Sequence, residues 1–176
     1  MNNFDITILE ESIRDVPDFP KPGILFKDIT PILSNPELLS ASIKALTSLV
    51  ESSAIDKVIG IDARGFIFGS LIASSLGKGF IPVRKEGKLP WQTESQAYDL
   101  EYGKSVIEIH KDAIKPGERV LIIDDLLATG GTASAAIKLV EKLEGKVQSL
   151  LFFIELEFLN GRKMLEDKKV GSVLKY

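Results

Sequence analysis

The stretch "VLIIDDLLATGGTAS", residues 120–134, decides how this chain folds. Four apolar residues run into two adjacent carboxylates, and a Thr-Gly-Gly-Thr turn follows before an alanine-rich segment begins. The apolar run reads as a buried strand. After the turn, Ala133, Ala136, Ile137, Val140 and Leu143 recur at three- and four-residue steps, one face of a helix, with Gly145 placed to cap its carboxyl end. Strand, glycine turn and helix in that order make the βα unit of a parallel sheet.

The same alternation extends in both directions. Residues 57–61 ("KVIGI"), 79–85 ("GFIPVRK"), 119–124 ("RVLIID") and 149–156 ("SLLFFIEL") read as strands, and residues 38–53, 65–77 and 132–145 read as helices. We therefore expect an α/β fold, a parallel sheet with flanking helices, in one domain spanning residues 1–176. Such sheets bind ligands beyond the carboxyl ends of their strands. There the first strand is followed by "DARG" (62–65), the second by "RKEGK" (84–88) and the third by "DDLLATGGT" (124–132). Basic side chains thus face a loop suited to phosphate. Residues 86–105 are polar, contain Pro and Gly, and keep no period, so their length marks a flexible lid. The "SVIEIH" that follows alternates like a strand able to form a hairpin arm with its flank.

Composition narrows the function. With 44% hydrophobic and 27% charged residues the chain is a soluble globular sequence, and its net charge of -3 argues against nucleic acid or an anionic membrane surface as partner. The absence of Cys excludes a thiolate nucleophile or a Cys-ligated zinc, and suits a reducing, cytoplasmic setting. The one His, His110, leaves the strand "SVIEIH" and reads as a surface polar residue rather than a catalytic base. The amino end lacks the basic start and apolar run of a secretory leader, and no apolar block approaches the ~20 residues of a helical membrane span.

In "LATGGTAS" the glycines allow close approach of backbone N–H groups, and the start of a helix favours an anion there. No Gly-Lys-Ser/Thr follows, so the loop is no Walker motif, and a monophosphate fits better than a triphosphate. Asp124 and Asp125 stand a sugar's width from that loop, where they can accept from ribose hydroxyls or hold Mg²⁺, directly or through water. Successive strand residues point to opposite sides, so both acids serve one ligand only if the strand breaks into a turn there. The plain alternative is a helix-capping Asp beside a solvent-facing one.

"VLIIDDLLATGGT" resembles the phosphoribosyl-diphosphate signature of the type I phosphoribosyltransferases. Within them, "DFPKPGILFKDITPIL" (18–33), "DARGFIFG" (62–69), "VRKEGKLP" (83–90), "YDLEYGKS" (98–105) and "LEFLNGR" (156–162) together resemble the adenine phosphoribosyltransferases, in order and over most of the chain. The resemblance implies the type I fold, with a small amino-terminal hood near 18–33 and 156–162. It implies Mg-dependent transfer of the 5-phosphoribosyl group from 5-phosphoribosyl 1-diphosphate to adenine, by a homodimer. Ala128, Thr129, Gly130, Gly131 and Thr132 would hold the 5'-phosphate, and Asp124 with Asp125 the ribose hydroxyls and Mg²⁺. Arg84, Lys85 and Lys88 would face the leaving diphosphate, in part across the dimer interface. Leu25, Phe26 and Lys27 would meet the base, with Phe26 and Leu159 as its two faces. Arg64 would lie beside base and diphosphate, after a cis peptide between Asp62 and Ala63, and Glu101 would be the catalytic carboxylate of the lid.

This chain has Leu25 and Lys27 where many relatives carry Val and Arg, and Lys lacks the planar fork of Arg. Residues 91–97, Trp91 included, match no position whose role we can carry over. Two rival readings remain at this stage: a transferase for another purine, or a non-catalytic regulator on the same fold.

Overall fold

In the computed structural model the described residues are 3–99, 104–165 and 167–176. The chain begins with α1 (Asn3–Glu11) and a two-stranded antiparallel sheet, β1 (Arg14–Pro17) against β2 (Leu25–Asp28). Two helices follow, α2 (Thr30–Ser34) and α3 (Pro36–Thr47). Then come β3 (Lys57–Ile61), α4 (Gly65–Leu76), β4 (Gly79–Lys85), β5 (Thr93–Asp99) and β6 (Lys104–His110). The chain closes with β7 (Arg119–Leu127), α5 (Gly131–Lys142), β8 (Lys146–Glu155) and β9 (Val170–Lys175). The main sheet runs β5-β6-β4-β3-β7-β8-β9. Its strands from β4 to β9 are parallel, and β5 and β6 add an antiparallel hairpin at one edge.

Alternation along the central strands fills two cores. Ile59, Ile122, Val120 and Phe152 pack on the face covered by α5, while Val58, Leu121, Ile123 and Phe153 pack with α3 and α4. Phe68 of α4 stacks on Phe153 with ring centroids 5.1 Å apart. Each such fully buried side chain stabilises by roughly 1.5–3 kcal/mol. The unbroken apolar runs of β3, β7 and β8 follow from burial on both faces.

Three expectations meet the structure in different ways. First, the hairpin arm expected of "SVIEIH" forms: Thr93–Asp99 pairs with Lys104–His110 along its whole length, so part of the 86–105 segment that reads as periodless is a strand. Its alternation is written in polar residues: Glu94, Gln96 and Tyr98 are half-buried while Ser95 and Ala97 are exposed. Lys142 ties it to α5 through the Ser95 carbonyl at 2.7 Å and Glu94 at 3.3 Å. Second, α5 does not end on Gly145. Glu144 takes the left-handed conformation (φ 59°), and Gly145 N–H closes the turn onto the Val140 carbonyl at 2.9 Å. Third, His110 is half-buried, and its Nε2 is enclosed without a hydrogen-bond partner among the described residues.

Candidate active site

The sheet itself opens the site. From β3 the chain crosses to β4 on one side, and from β7 it crosses to β8 on the other, so the loops leaving β3 and β7 part around a crevice. The last pairing between β3 and β7 is Gly60 with Ile123, whereas β7 stays paired to β8 as far as Leu127 with Glu155. Beyond Ile123, therefore, no strand among the described residues pairs with that edge of β7. The strand does not break at the two acids, as the sequence led us to expect; it carries them past the end of β3.

The acids consequently have different neighbours. Asp124 lines a recess with Ala128, Thr129, Gly131 and Thr132, and its Oδ1 accepts from the Asp125 N–H at 2.9 Å. Asp125, 7% exposed, meets the Arg64 guanidinium with Nε to Oδ2 at 2.7 Å. Burial pushes the Asp124 carboxyl well above the usual carboxylate range, and the charge of Asp125 adds to the effect. Burial also raises Asp125, against the pull of Arg64. The amino end of α4 presses on this point, and only glycine fits. A Cβ at Gly65 would lie 2.8 Å from the Ile123 carbonyl oxygen and 2.9 Å from Asp124 Oδ1.

Arg64 follows a cis peptide between Asp62 and Ala63, at the place the resemblance implied. Its guanidinium carbon lies 5.2 Å from the centre of the Phe26 ring, so one side chain joins the acid pair to the small amino-terminal sheet. Phe19 meets the same ring edge-on at 5.1 Å. In β2, Phe26 pairs with Val16, and the other edge of this two-stranded sheet carries no strand among the described residues. Leu25 is 51% exposed. The side chain of Lys27 is engaged elsewhere, 2.6 Å from Asp15 and 4.0 Å from the Tyr176 ring centre. Leu159 is half-buried in a 3-10 turn, Glu157–Leu159, that leaves β8.

Of the basic residues, Arg84 braces two loops. Its Nε lies 3.2 Å from Asp62 Oδ2, and a terminal nitrogen donates to the Lys88 carbonyl at 3.0 Å. Lys85 and Lys88 are exposed and form no ion pair among the described residues. Glu101 lies outside the described residues.

The Asn35 side chain caps α3 by accepting from the N–H groups of Glu37 and Leu38, whereas α2, α4 and α5 begin at Ile29, Arg64 and Gly130 with no side-chain cap. Of these, the starts of α4 and α5 abut the crevice, and the first N–H groups of a helix lack intrahelical acceptors. That arrangement suits an anion beside α5. For Mg²⁺ the acids are a partial fit. Among the described residues no three acidic or imidazole side chains converge, and Asp125 already serves Arg64. One or two carboxylates beside a phosphate-bearing ligand is nonetheless a common Mg²⁺ arrangement.

One cluster escaped the sequence reading. Glu155 at the end of β8 is 3% exposed and is gripped at both oxygens by Arg162, at 2.6 and 2.7 Å, with Ser172 of β9 as a third partner. "LEFLNGR" carried the only signal, since β9 has too little apolar pattern to read as a strand.

A family model for the phosphoribosyl transferase domain matches residues 28–173. The adenine phosphoribosyltransferase of Carboxydothermus hydrogenoformans is 54% identical over 168 residues, covering 96% of this chain and 99% of the relative. The crystal structure of the enzyme from Rhodothermus marinus superposes with a TM-score of 0.95 at 53% identity, covering 99% and 100% of the two chains. That from Saccharomyces cerevisiae, complexed with D-2,5-dideoxy-2,5-imino-altritol 1,6-bisphosphate and adenine, gives 0.93 at 41% identity, covering 98% and 99%. A crevice at the strand-order reversal, an acid pair, an uncapped helix and nearly full-length identity all agree, and the chain belongs to the adenine phosphoribosyltransferase family.

Proposed function

We propose that this family member transfers the 5-phosphoribosyl group of 5-phosphoribosyl 1-diphosphate to adenine in the crevice between β3 and β7, giving AMP and diphosphate. The observation that carries the reading is Arg64, which touches both the acid next to the phosphate loop and the aromatic ring of the amino-terminal sheet. A single side chain at that point can sense donor and acceptor together. The yeast relative, holding a bisphosphate and adenine at once, supports the same pairing.

The 5'-phosphate would rest on the N–H groups and hydroxyls of Ala128 to Thr132 at the start of α5. Asp124 would accept from the ribose hydroxyls, with Mg²⁺ reaching it on the substrate, directly or through water, while Asp125, on the other side of the unbroken strand, would act on the ligand through Arg64. When bound, Mg²⁺ would neutralise charge on the leaving diphosphate. Arg84, Lys85 and Lys88 would face the same group. Adenine would lie between Phe26 and Leu159, its edge read by the main chain of residues 24–27, and the side chain of Lys27 would take no part. Main-chain donor and acceptor select the 6-amino purine, because a 6-oxopurine reverses both and leaves buried groups unpaired.

The reaction requires no covalent intermediate. As the bond from C1' to the diphosphate breaks, the carbon gains oxocarbenium character, and N9 of adenine attacks it. The carboxylates near the sugar favour that positive charge, and Glu101 would take the proton that N9 loses. Absence of Cys supports a cytoplasmic setting, and the exposed Ile67 and Leu71 on α4 support a homodimer.

The test is an assay with Mg²⁺, donor and each of adenine, hypoxanthine and guanine. Adenine should be converted with kcat/KM roughly 10³-fold or more above the oxopurines. Equal turnover of hypoxanthine would overturn the assignment. Glu101→Ala should lose most turnover yet still bind ribose 5-phosphate; unchanged turnover removes its role.

A further inference from the structure

The phosphate loop does not stand alone. Its backbone lies directly on the backbone of Gly161, at the start of a 3-10 turn, Gly161–Leu165. A Cβ at Gly161 would collide with the Ala128 carbonyl oxygen and come within 3.0 Å of Leu127 Cδ1. The reverse also holds, since a Cβ at Gly130 would collide with the Gly161 carbonyl oxygen. Gly130 has a φ of +86°, which already favours glycine, but Gly161 has no positive φ and is required by close approach alone.

Gly161 is held firmly from its far side. Arg162 forks onto Glu155 and also donates to the Val170 carbonyl at 3.0 Å and to Ser172 Oγ at 2.9 Å. Leu165 is buried in the core under α5, and the Leu156 N–H bonds to the Leu127 carbonyl at 2.9 Å. Leu159 lies two residues before Gly161. A displacement of Gly161 therefore moves the phosphate loop, the base-side turn, or both.

We infer that Gly161, locked by Arg162 onto Glu155, is a positioning residue that sets the phosphate loop of residues 128–132 and the Leu159 turn at a fixed separation, and so ties recognition of the 5'-phosphate to recognition of the base. The inference rests on the proposed phosphate loop. Its physical basis is that close-packed backbones transmit a shift of a few tenths of an ångström rather than absorb it, and that N–H groups at an anion site act only over hydrogen-bond distances.

The experiment measures the dissociation constant of ribose 5-phosphate and KM for both substrates in Gly161→Ala, with thermal melts alongside. Gly145→Ala is the control: its Cβ would also be crowded, 2.9 Å from Ile114 Cγ2 and Val140 Cγ1, but it lies past the carboxyl end of α5, away from the loop and from Arg162. Gly161→Ala should weaken ribose 5-phosphate binding at least tenfold and raise KM for the donor, while Gly145→Ala lowers the melting temperature without changing either. Arg162→Lys, which keeps charge and loses the fork, should fold and raise the same constant about threefold, a shift of roughly 0.65 kcal/mol at RT of about 0.59 kcal/mol. Unchanged binding in folded Gly161→Ala overturns the inference. Should that variant not fold, unchanged binding in Arg162→Lys overturns it. Thr132→Ala separates the two readings: if it too leaves ribose 5-phosphate binding unchanged, the assignment of the loop fails first.

Discussion

Asp124 and Asp125 on β7 and Glu155 on the neighbouring strand β8 lie at the same end of the sheet, and all three are withdrawn from solvent to differing degrees. Glu155 has both oxygens satisfied by the Arg162 fork and a hydroxyl in addition, and these hold its carboxyl below the usual range. The β7 pair shares a single guanidinium contact, through Arg64, and both carboxyls are held above the usual range. A carboxylate that serves the fold brings its counterion with it. The β7 pair, proposed above to serve a ligand, lacks such a full set of partners, as expected of a carboxylate kept for hydroxyls or a cation.

The largest effect should come from breaking the β7 side. Asp124→Asn and Asp125→Asn should each lower kcat/KM by about 100-fold or more, with Asp124→Asn leaving the melting temperature of the free protein unchanged or raised. Steady-state kinetics and thermal melts on the same preparations check this; a loss of stability in Asp124→Asn as large as that of a Glu155 variant would erase the distinction. On the β8 side, Glu155→Gln should cost about 2 kcal/mol of folding stability, short of the ~3–5 kcal/mol for a fully buried pair because Arg162 retains contact with water. Its denaturant midpoint measures this.

The pH dependence of the two variants should run in opposite directions. A raised native carboxyl binds its proton when the unfolded chain has released it, so its drag on stability grows as pH climbs above the ordinary value of 3.8 and persists above the native value. Asp124→Asn should therefore gain on the parent chain from pH 4 to pH 7. A lowered native carboxyl contributes stability above its ordinary value of 4.5 and loses it as pH falls. The deficit of Glu155→Gln should shrink toward pH 4. Parallel profiles in urea unfolding would contradict the comparison. The smallest effect is a calibration away from both carboxylates. Glu144→Gly relieves a left-handed residue at the end of α5 and should add about 0.5 kcal/mol with unaltered kinetics.

Much of this was legible before any coordinates. The βα units, the phosphate loop and the acid pair announce themselves because buried parallel strands need continuous apolar runs and an anion-binding turn needs glycine. A hairpin arm beside "SVIEIH" was legible, but the extent of β5 was not, because its alternation uses Glu94, Gln96 and Tyr98 in place of aliphatic residues. β9 was hidden because this short edge strand meets the core only through Val170, Val173 and Leu174, which do not alternate along the strand.

Local order along the chain was enough to say which residues lie at strand ends and which turn has the glycines an anion site needs, since strand periodicity and glycine chemistry act over a few positions. Pairings between distant residues were not available from it. That Lys27 faces Asp15 and Tyr176, that Arg64 joins Asp125 to Phe26, and that Gly161 bears on Ala128 depend on how three loops meet around one sheet. Those contacts are set by strand order and close packing, which no short stretch of sequence encodes.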